Sequence, residues 1–163
     1  MNRSVGLRRL EKLGNYLIYA VAPKAAARRR KGVEKFNMAY WGNAKKLGLE
    51  EVNCSTSGCA CGWATTIPEF KKAGLSLEGD RYLSSRGMLF YRNPKTGDTY
   101  EAFDAAMEFF GLTDREAAWL FGPDQYRLIH RYRPGFVGRR ILRFVADGGL
   151  NNGAKAALTV RGR

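Results

Sequence analysis

Val5, Leu7, Leu10, Leu13, Leu17 and Ile18 recur at near-helical spacing, so residues 5–21 read as an amphipathic helix. Gly14 weakens that helix by about 1 kcal/mol relative to alanine, and Pro23 is the expected break. Beyond it, Ala25-Ala26-Ala27-Arg28-Arg29-Arg30-Lys31 favours one or two further, very basic turns closed by Gly32. This pattern suits a basic arm that orders on contact rather than a core element.

From Phe36 the texture changes, with Phe36, Met38, Tyr40 and Trp41 marking a short extended or turn segment that docks on a central domain. A short helix is expected over 43–47, and Ser57 is placed to cap another across Gly58-Cys59-Ala60-Cys61-Gly62-Trp63-Ala64. There the glycines favour close approach of a neighbouring element. Pro68 opens a helical turn over 69–73 that Gly74 ends. Met88–Arg92 and Thr99–Ala102 are β-prone runs around Asn93-Pro94-Lys95-Thr96-Gly97-Asp98, which predicts a β-hairpin and the chain's only sheet. Phe103, Ala106, Met107 and Phe110 then line a helix ended by Gly111. Thr113 and Glu116 form a capping box for a helix burying Ala117, Ala118, Leu120 and Phe121, stopped by Gly122-Pro123. Residues 125–132 predict another helix. Val137, Ile141, Leu142, Phe144 and Val145 predict a last one, with Arg139, Arg140 and Arg143 on its outer face. The tail after Asp147-Gly148-Gly149 is expected to carry little independent structure. The fold class is mainly α, with one small β-hairpin.

The distribution of charge changes this picture. The 163-residue chain carries a net +13. Residues 1–35 hold ten Lys/Arg against two acids, residues 36–126 nine against twelve, and residues 127–163 nine against one. Three parts follow: a basic N-terminal arm (1–35), a central globular domain (36–126), and a basic C-terminal helix and tail (127–163). Cations crowded at both ends repel unless a counter-charge meets them, and a phosphate backbone supplies one. Arginine's planar fork suits phosphate well. The candidate binding residues are Arg8, Arg9, Arg28, Arg29, Arg30, Lys31, Arg127, Arg131, Arg133, Arg139, Arg140 and Arg143, with Tyr126 and Tyr132 as stacking surface for unpaired bases.

One stretch of the central segment carries a resemblance. Phe36-Asn37-Met38 and Trp41, the run Cys54-Ser55-Thr56-Ser57-Gly58-Cys59-Ala60-Cys61-Gly62-Trp63-Ala64, Ile67-Pro68-Glu69-Phe70 and Phe110-Gly111-Leu112-Thr113 resemble a group of short, largely uncharacterised bacterial and phage proteins. Their pattern reads Cys-Gly-Thr, two residues, Cys, two residues, Gly, His or Trp, Ala, with Ser55 here in place of the glycine. The resemblance implies a phage or mobile-element setting and brings no activity with it. Neither basic end belongs to it.

Other chemistries fare less well. Cys54, Cys59 and Cys61 are badly spaced for structural zinc, and His130, the only histidine, is far away in sequence. A cysteine nucleophile would need His130 as base, and that residue has no evident orienting carboxylate. Small buried thiols are the expectation, and Trp41, Trp63 and Trp119 read as core rather than a ligand cage. Glu101, Asp104 and Glu108 share a helical face by spacing but face no second carboxylate motif. No glycine-rich phosphate loop is present, and no cofactor or metal is expected.

Arg8 and Arg9 before the apolar run Tyr16–Ala22 mimic a signal peptide. Glu11, Lys12, Gly14 and Asn15 interrupt it, and Arg28–Lys31 would hinder export. The expected location is therefore cytoplasmic: host cytoplasm, or a virion if phage-encoded. No apolar run approaches the roughly 18 residues of a membrane span. The sequence favours a non-enzymatic protein binding nucleic acid (RNA or DNA) or a nucleoprotein complex. An inhibitor or assembly factor docking on an acidic host or capsid protein is the alternative, and a cysteine-dependent enzyme the remote one. The oligomeric state is left open.

Overall fold

The structure is a computed structural model that describes residues 2–29, 36–38, 59–79 and 87–150, with residues 27–29 and 79 described for their backbone alone. It is mainly helical with a small three-stranded antiparallel sheet.

The chain opens with α1 (Arg3–Tyr16), capped by the Asn2 side chain, which accepts from the Ser4 N–H. The helix does not break at Pro23. It widens into a π turn over Leu17–Val21, where the Ala22 N–H reaches back to the Leu17 carbonyl, and then continues as α2 (Ala22–Arg29). A proline cannot donate to the preceding turn and crowds its carbonyl. The wide turn just before Pro23 carries the helix axis through a residue that normally stops it.

The N-terminal segment is also not an arm. Leu10, Leu13, Leu17 and Val21 are buried in the same core as the rest of the fold, and α1 lies antiparallel against the last helix, α8 (Pro134–Ala146). Arg3 lies by Phe144, Gly14 by Gly138 and Leu142, and Ala22 by Gly135. The close approach explains Gly14 and Gly138. A Cβ on Gly138 would stand 2.6 Å from the Gly14 carbonyl oxygen, and one on Gly14 would stand 2.8 Å from Leu142 Cδ2. The helix propensity lost at Gly14 is repaid in packing.

Between the paired helices in sequence lie α3 (Ala60–Ala64), α4 (Pro68–Lys72), β1 (Leu75–Gly79), β2 (Gly87–Arg92), β3 (Thr99–Glu101), α5 (Ala102–Phe110), α6 (Asp114–Phe121), a 3-10 turn at Pro123–Gln125 and α7 (Leu128–Arg131). The predicted hairpin is β2–β3, with Tyr91 opposite Tyr100 and Phe90 opposite Glu101. The sheet has a third strand: β1 pairs with β2, placing Leu75 opposite Tyr91 and Leu77 opposite Leu89. Gly87, Leu89 and Tyr91 alternate inward along β2. Tyr91 meets Phe109 of α5 edge-on at 5.3 Å, and Phe70 and Phe110 complete the aromatic cluster at 5.1 and 5.0 Å from Phe109.

Helix α5 buries Ala105, Ala106, Phe109 and Phe110, a face rotated from the predicted one, so Phe103 and Met107 are only half-buried. Gly111 ends it in the left-handed conformation (φ 61°). The Thr113–Glu116 capping box is present and α6 buries Ala117, Leu120 and Phe121, while Ala118 is exposed. Phe36 and Met38 are buried, and the Met38 N–H donates to the Arg131 carbonyl, so this segment docks on α7. The expected helix over 43–47, the Ser57 cap and the tail beyond 150 lie outside the described residues.

One ion pair ties the start of α1 to the first turn of α6. Arg3 grips Glu116 in a fork at 2.6 and 2.7 Å and donates to the Gly111 carbonyl at 2.8 Å. The Glu116 side chain is only one-tenth exposed. Burial pushes its carboxyl up, but hydrogen bonds from Arg3 and Thr113 outweigh that and hold it below the usual value. This pair stabilises the fold above the unfolded carboxyl pKa of about 4.3, and the contribution is lost as pH falls through the depressed folded value. Arg3→Met leaves a desolvated carboxylate unmatched. Half-exposure of the arginine tempers the loss to about 2 kcal/mol at neutral pH, read by urea denaturation. The variant should also lose less stability than the wild type on acidification.

Candidate nucleic-acid interface

Helix α8 begins with Pro134 in its first turn, and its period turns Pro134, Val137, Gly138, Ile141 and Phe144 inward. Arg139 and Arg143 therefore fall on the outward stripe, four residues and about 6 Å apart along the axis. Both are exposed, and Arg143 has Asp147 at 4.0 Å. Arg127 and Arg133 are exposed residues preceding α7 and α8. On α1, Arg8 is exposed on the stripe opposite the buried leucines. Because α1 and α8 are antiparallel and both turn their apolar faces to one core, their outward stripes share one side of the molecule. Glu11 and Asp147 are exposed acids there. Among the described residues no carboxylate is ion-paired with Arg8, Arg127, Arg133 or Arg139.

Other candidates are held by the protein itself. Arg9 donates to the Phe109 carbonyl at 2.7 Å, with its guanidinium 4.0 Å from the Phe109 ring centroid. Arg131 donates to the Tyr126 carbonyl at 3.3 Å and to Asp124 at 3.4 Å. Arg140 does not share the outer face with Arg139 and Arg143. It lies between the rings of Trp119 (3.8 Å) and Tyr126 (4.6 Å) and donates at 2.8 Å to the carbonyls of Gln125 and Trp119. Burial lowers its pKa from the ordinary value. Periodicity places a residue on a face but not how its guanidinium folds back, so these contacts were not legible in the sequence. Arg28 and Arg29 end α2, which runs past the start of α8 because Ala22 already sits beside Gly135. Arg30 and Lys31 lie outside the described residues.

Tyr126 is not a stacking surface. It is 3% exposed, its hydroxyl donates to the Leu120 carbonyl, and burial pushes the phenol far above its usual range. Tyr132 is half-buried. The structural division of labour gives a prediction. Arg140→Gln should lower stability by about 2 kcal/mol through lost stacking and two orphaned carbonyls. Polyanion binding by the folded variant, measured well below its melting temperature, should match that of the wild type.

Cys59 and Cys61 are buried around the start of α3, within hydrogen-bond reach of one another. Burial works to raise the Cys59 thiol, but hydrogen bonds from Cys61 and from backbone N–H groups including that of Gly62 hold it below the ordinary value, whereas burial pushes Cys61 well above it. Cys54 lies outside the described residues. His130 stacks on Phe136 with centroids 3.8 Å apart. Among the described residues no group of three His, Cys, Asp or Glu side chains converges as a metal would require. Trp63 is buried, and Trp119 packs on Phe144 and Arg140. Glu101 lies in β3, not on the helix that carries Asp104 and Glu108.

An open pocket of about 400 Å³ lies at the α5–α6 turn, with Arg3, Met107, Leu112, Thr113 and Glu116 in its wall. Arg3, Thr113 and Glu116 already satisfy one another there. No described helix is long and apolar enough to cross a membrane. Comparison with protein-family models, with curated proteins and with solved structures gave no match.

Proposed function

We propose that this chain is a non-enzymatic protein that binds nucleic acid, RNA or DNA, alone or within a nucleoprotein complex, through its phosphates and largely without regard to sequence. The observation that carries this reading is the set Arg127, Arg133, Arg139 and Arg143, exposed on or beside α8 with Arg8 on the adjoining helix, and matched by few acids. Four arginines exposed to water in or just before α7 and α8 repel one another unless an anionic array meets them. Phosphates do so with release of condensed counterions, which makes such binding strong at low salt. Backbone contacts fix position and carry no sequence information, and the sequences of the two basic ends carry no recognisable groove-reading helix motif. The Cys54–Ala64 pattern supports a phage or mobile-element setting for this role.

Purification at low and high salt tests the reading. The 260/280 nm absorbance ratio should be high from a low-salt preparation, and should fall after a high-salt wash or nuclease treatment. Retention of an acidic protein from nuclease-treated lysate, with no nucleic acid carried at low salt, would count against it.

A further inference from the structure

We infer that the end of the helix pair where the π turn, α7 and the start of α8 meet contacts unpaired bases, so that the nucleic acid bound is single-stranded. This inference rests on the polyanion reading above and adds the ligand's strandedness.

Among the described residues three large hydrophobic side chains are left mostly in water: Tyr19 at 75% exposure, Leu128 at 68% and Ile129 at 57%. They share one end of the molecule. Ala22, the residue after the π turn, lies against Gly135 near the start of α8, and α7 ends at Arg131, just before Pro134. Arginines lie next to Leu128 and at the start of α8. Arg127 precedes Leu128, Arg133 precedes α8, and one Arg139 guanidinium nitrogen is 3.7 Å from where a Gly135 Cβ would stand.

The apolar side chains are held outward. The carbonyl of Arg131 accepts from the Met38 N–H, the Arg131 side chain donates to the Tyr126 carbonyl, and His130 lies flat on Phe136. Leu128 and Ile129, on the same four-residue helix, stand away from these attachments.

A ligand held only by its phosphates has no use for this apolar surface. In a duplex the base faces are stacked away, whereas an unpaired strand offers a π face at every base, and stacking on an aromatic side chain contributes about 1–3 kcal/mol per base. Tyr19 supplies the ring, Leu128 and Ile129 supply apolar contact, and the neighbouring arginines hold the backbone. An anionic membrane shares the charge complementarity. Interfacial insertion, however, uses a long helix with a continuous apolar face, and α7 is a single turn bearing two such residues.

Anisotropy titrations of the full chain against a fluorescein-labelled, mixed-sequence single strand and its duplex test the inference. The single strand should bind at least about tenfold more tightly. Tyr19→Ala should weaken single-strand binding by about 5- to 100-fold and leave duplex binding within about twofold, and Tyr19→Trp should restore it. Tyr19 is exposed, so these variants retain the fold. Equal affinity for the two forms, or a Tyr19→Ala effect that is absent or the same for both, overturns the inference and leaves the phosphate reading standing. Failure to bind either form at low salt overturns the phosphate reading itself. Capture by phosphatidylserine vesicles that Leu128→Ser with Ile129→Ser abolishes, alongside single-strand binding indifferent to Tyr19, assigns the patch to lipid instead.

Discussion

Gly6→Ala is expected to cost about 3–4 kcal/mol of stability, a large share of what a domain of this size possesses. Gly6 is buried on the inner face of α1, and a Cβ there would stand 1.9 Å from the Phe110 carbonyl oxygen and 2.5 Å from its carbonyl carbon. Both are backbone atoms at the end of α5 and cannot swing aside as a flexible side chain would. The start of α1 must lift. Lifting it pulls Arg3 from Glu116 and Gly111, and loosens Leu10 beneath. Overpacking of this kind is usually worth 1–3 kcal/mol, and the coupled ion pair adds to it. Gly97→Ala is the control: its φ of +80° strains an alanine, but no atom lies within 4 Å of the new methyl, so about 1 kcal/mol is expected. Urea denaturation of the pair reads the difference. Equal, small losses would mean that α1 is not seated against α5 and that the N-terminal segment is peripheral after all.

Replacing Arg127, Arg133, Arg139 and Arg143 together by glutamine is expected to lower affinity for nucleic acid by roughly 100- to 1,000-fold at low salt, at about 1 kcal/mol or less for each exposed contact. Stability should hardly change. Arg127, Arg133 and Arg139 are exposed without an ion-pair partner among the described residues, and the Arg143–Asp147 contact at 4.0 Å is long and solvated. Substitutions at such positions usually stay within about 0.5 kcal/mol each, and relief of mutual repulsion opposes even that. Arg140→Gln reverses the pattern, losing stability and keeping affinity. Gel shift and thermal melting on the two variants therefore separate surface arginines from structural ones. Equal affinity loss in both would mean that α8 acts by folding rather than by contact.

Much of this architecture was legible in local signals. The Asn93–Asp98 turn between β-prone runs, the Thr113–Glu116 box, Gly111 and Pro68 each act within a few residues, and each appears where the pattern places it. The failures share a cause in tertiary contact. Charge made residues 1–35 read as an arm, yet the spacing of Leu10, Leu13 and Leu17 already described a buried face, and Gly14 marked the crossing with Gly138. Pro23 was read as a break because the wide turn before it has no sequence signature. Leu75-Ser76-Leu77-Glu78 alternates as a half-buried strand should, but it is short and follows a helix stop. At the candidate interface, the outward position of Arg139 and Arg143 follows from a period of 3.6 residues. That Arg140 folds back onto Trp119 and Tyr126, or Arg9 onto Phe109, depends on carbonyls and rings supplied by other elements.

The most direct measurement is the dependence of log affinity on log salt concentration for the wild type and the four-arginine variant, taken with the same oligonucleotide. If these four arginines meet phosphates, each contact contributes a slope of about −0.7 on a single strand or −0.9 on a duplex. The wild-type line should be steep, and the variant's should be shallower by about three. Parallel lines of equal slope would contradict the account, since they would place the anion elsewhere on the molecule.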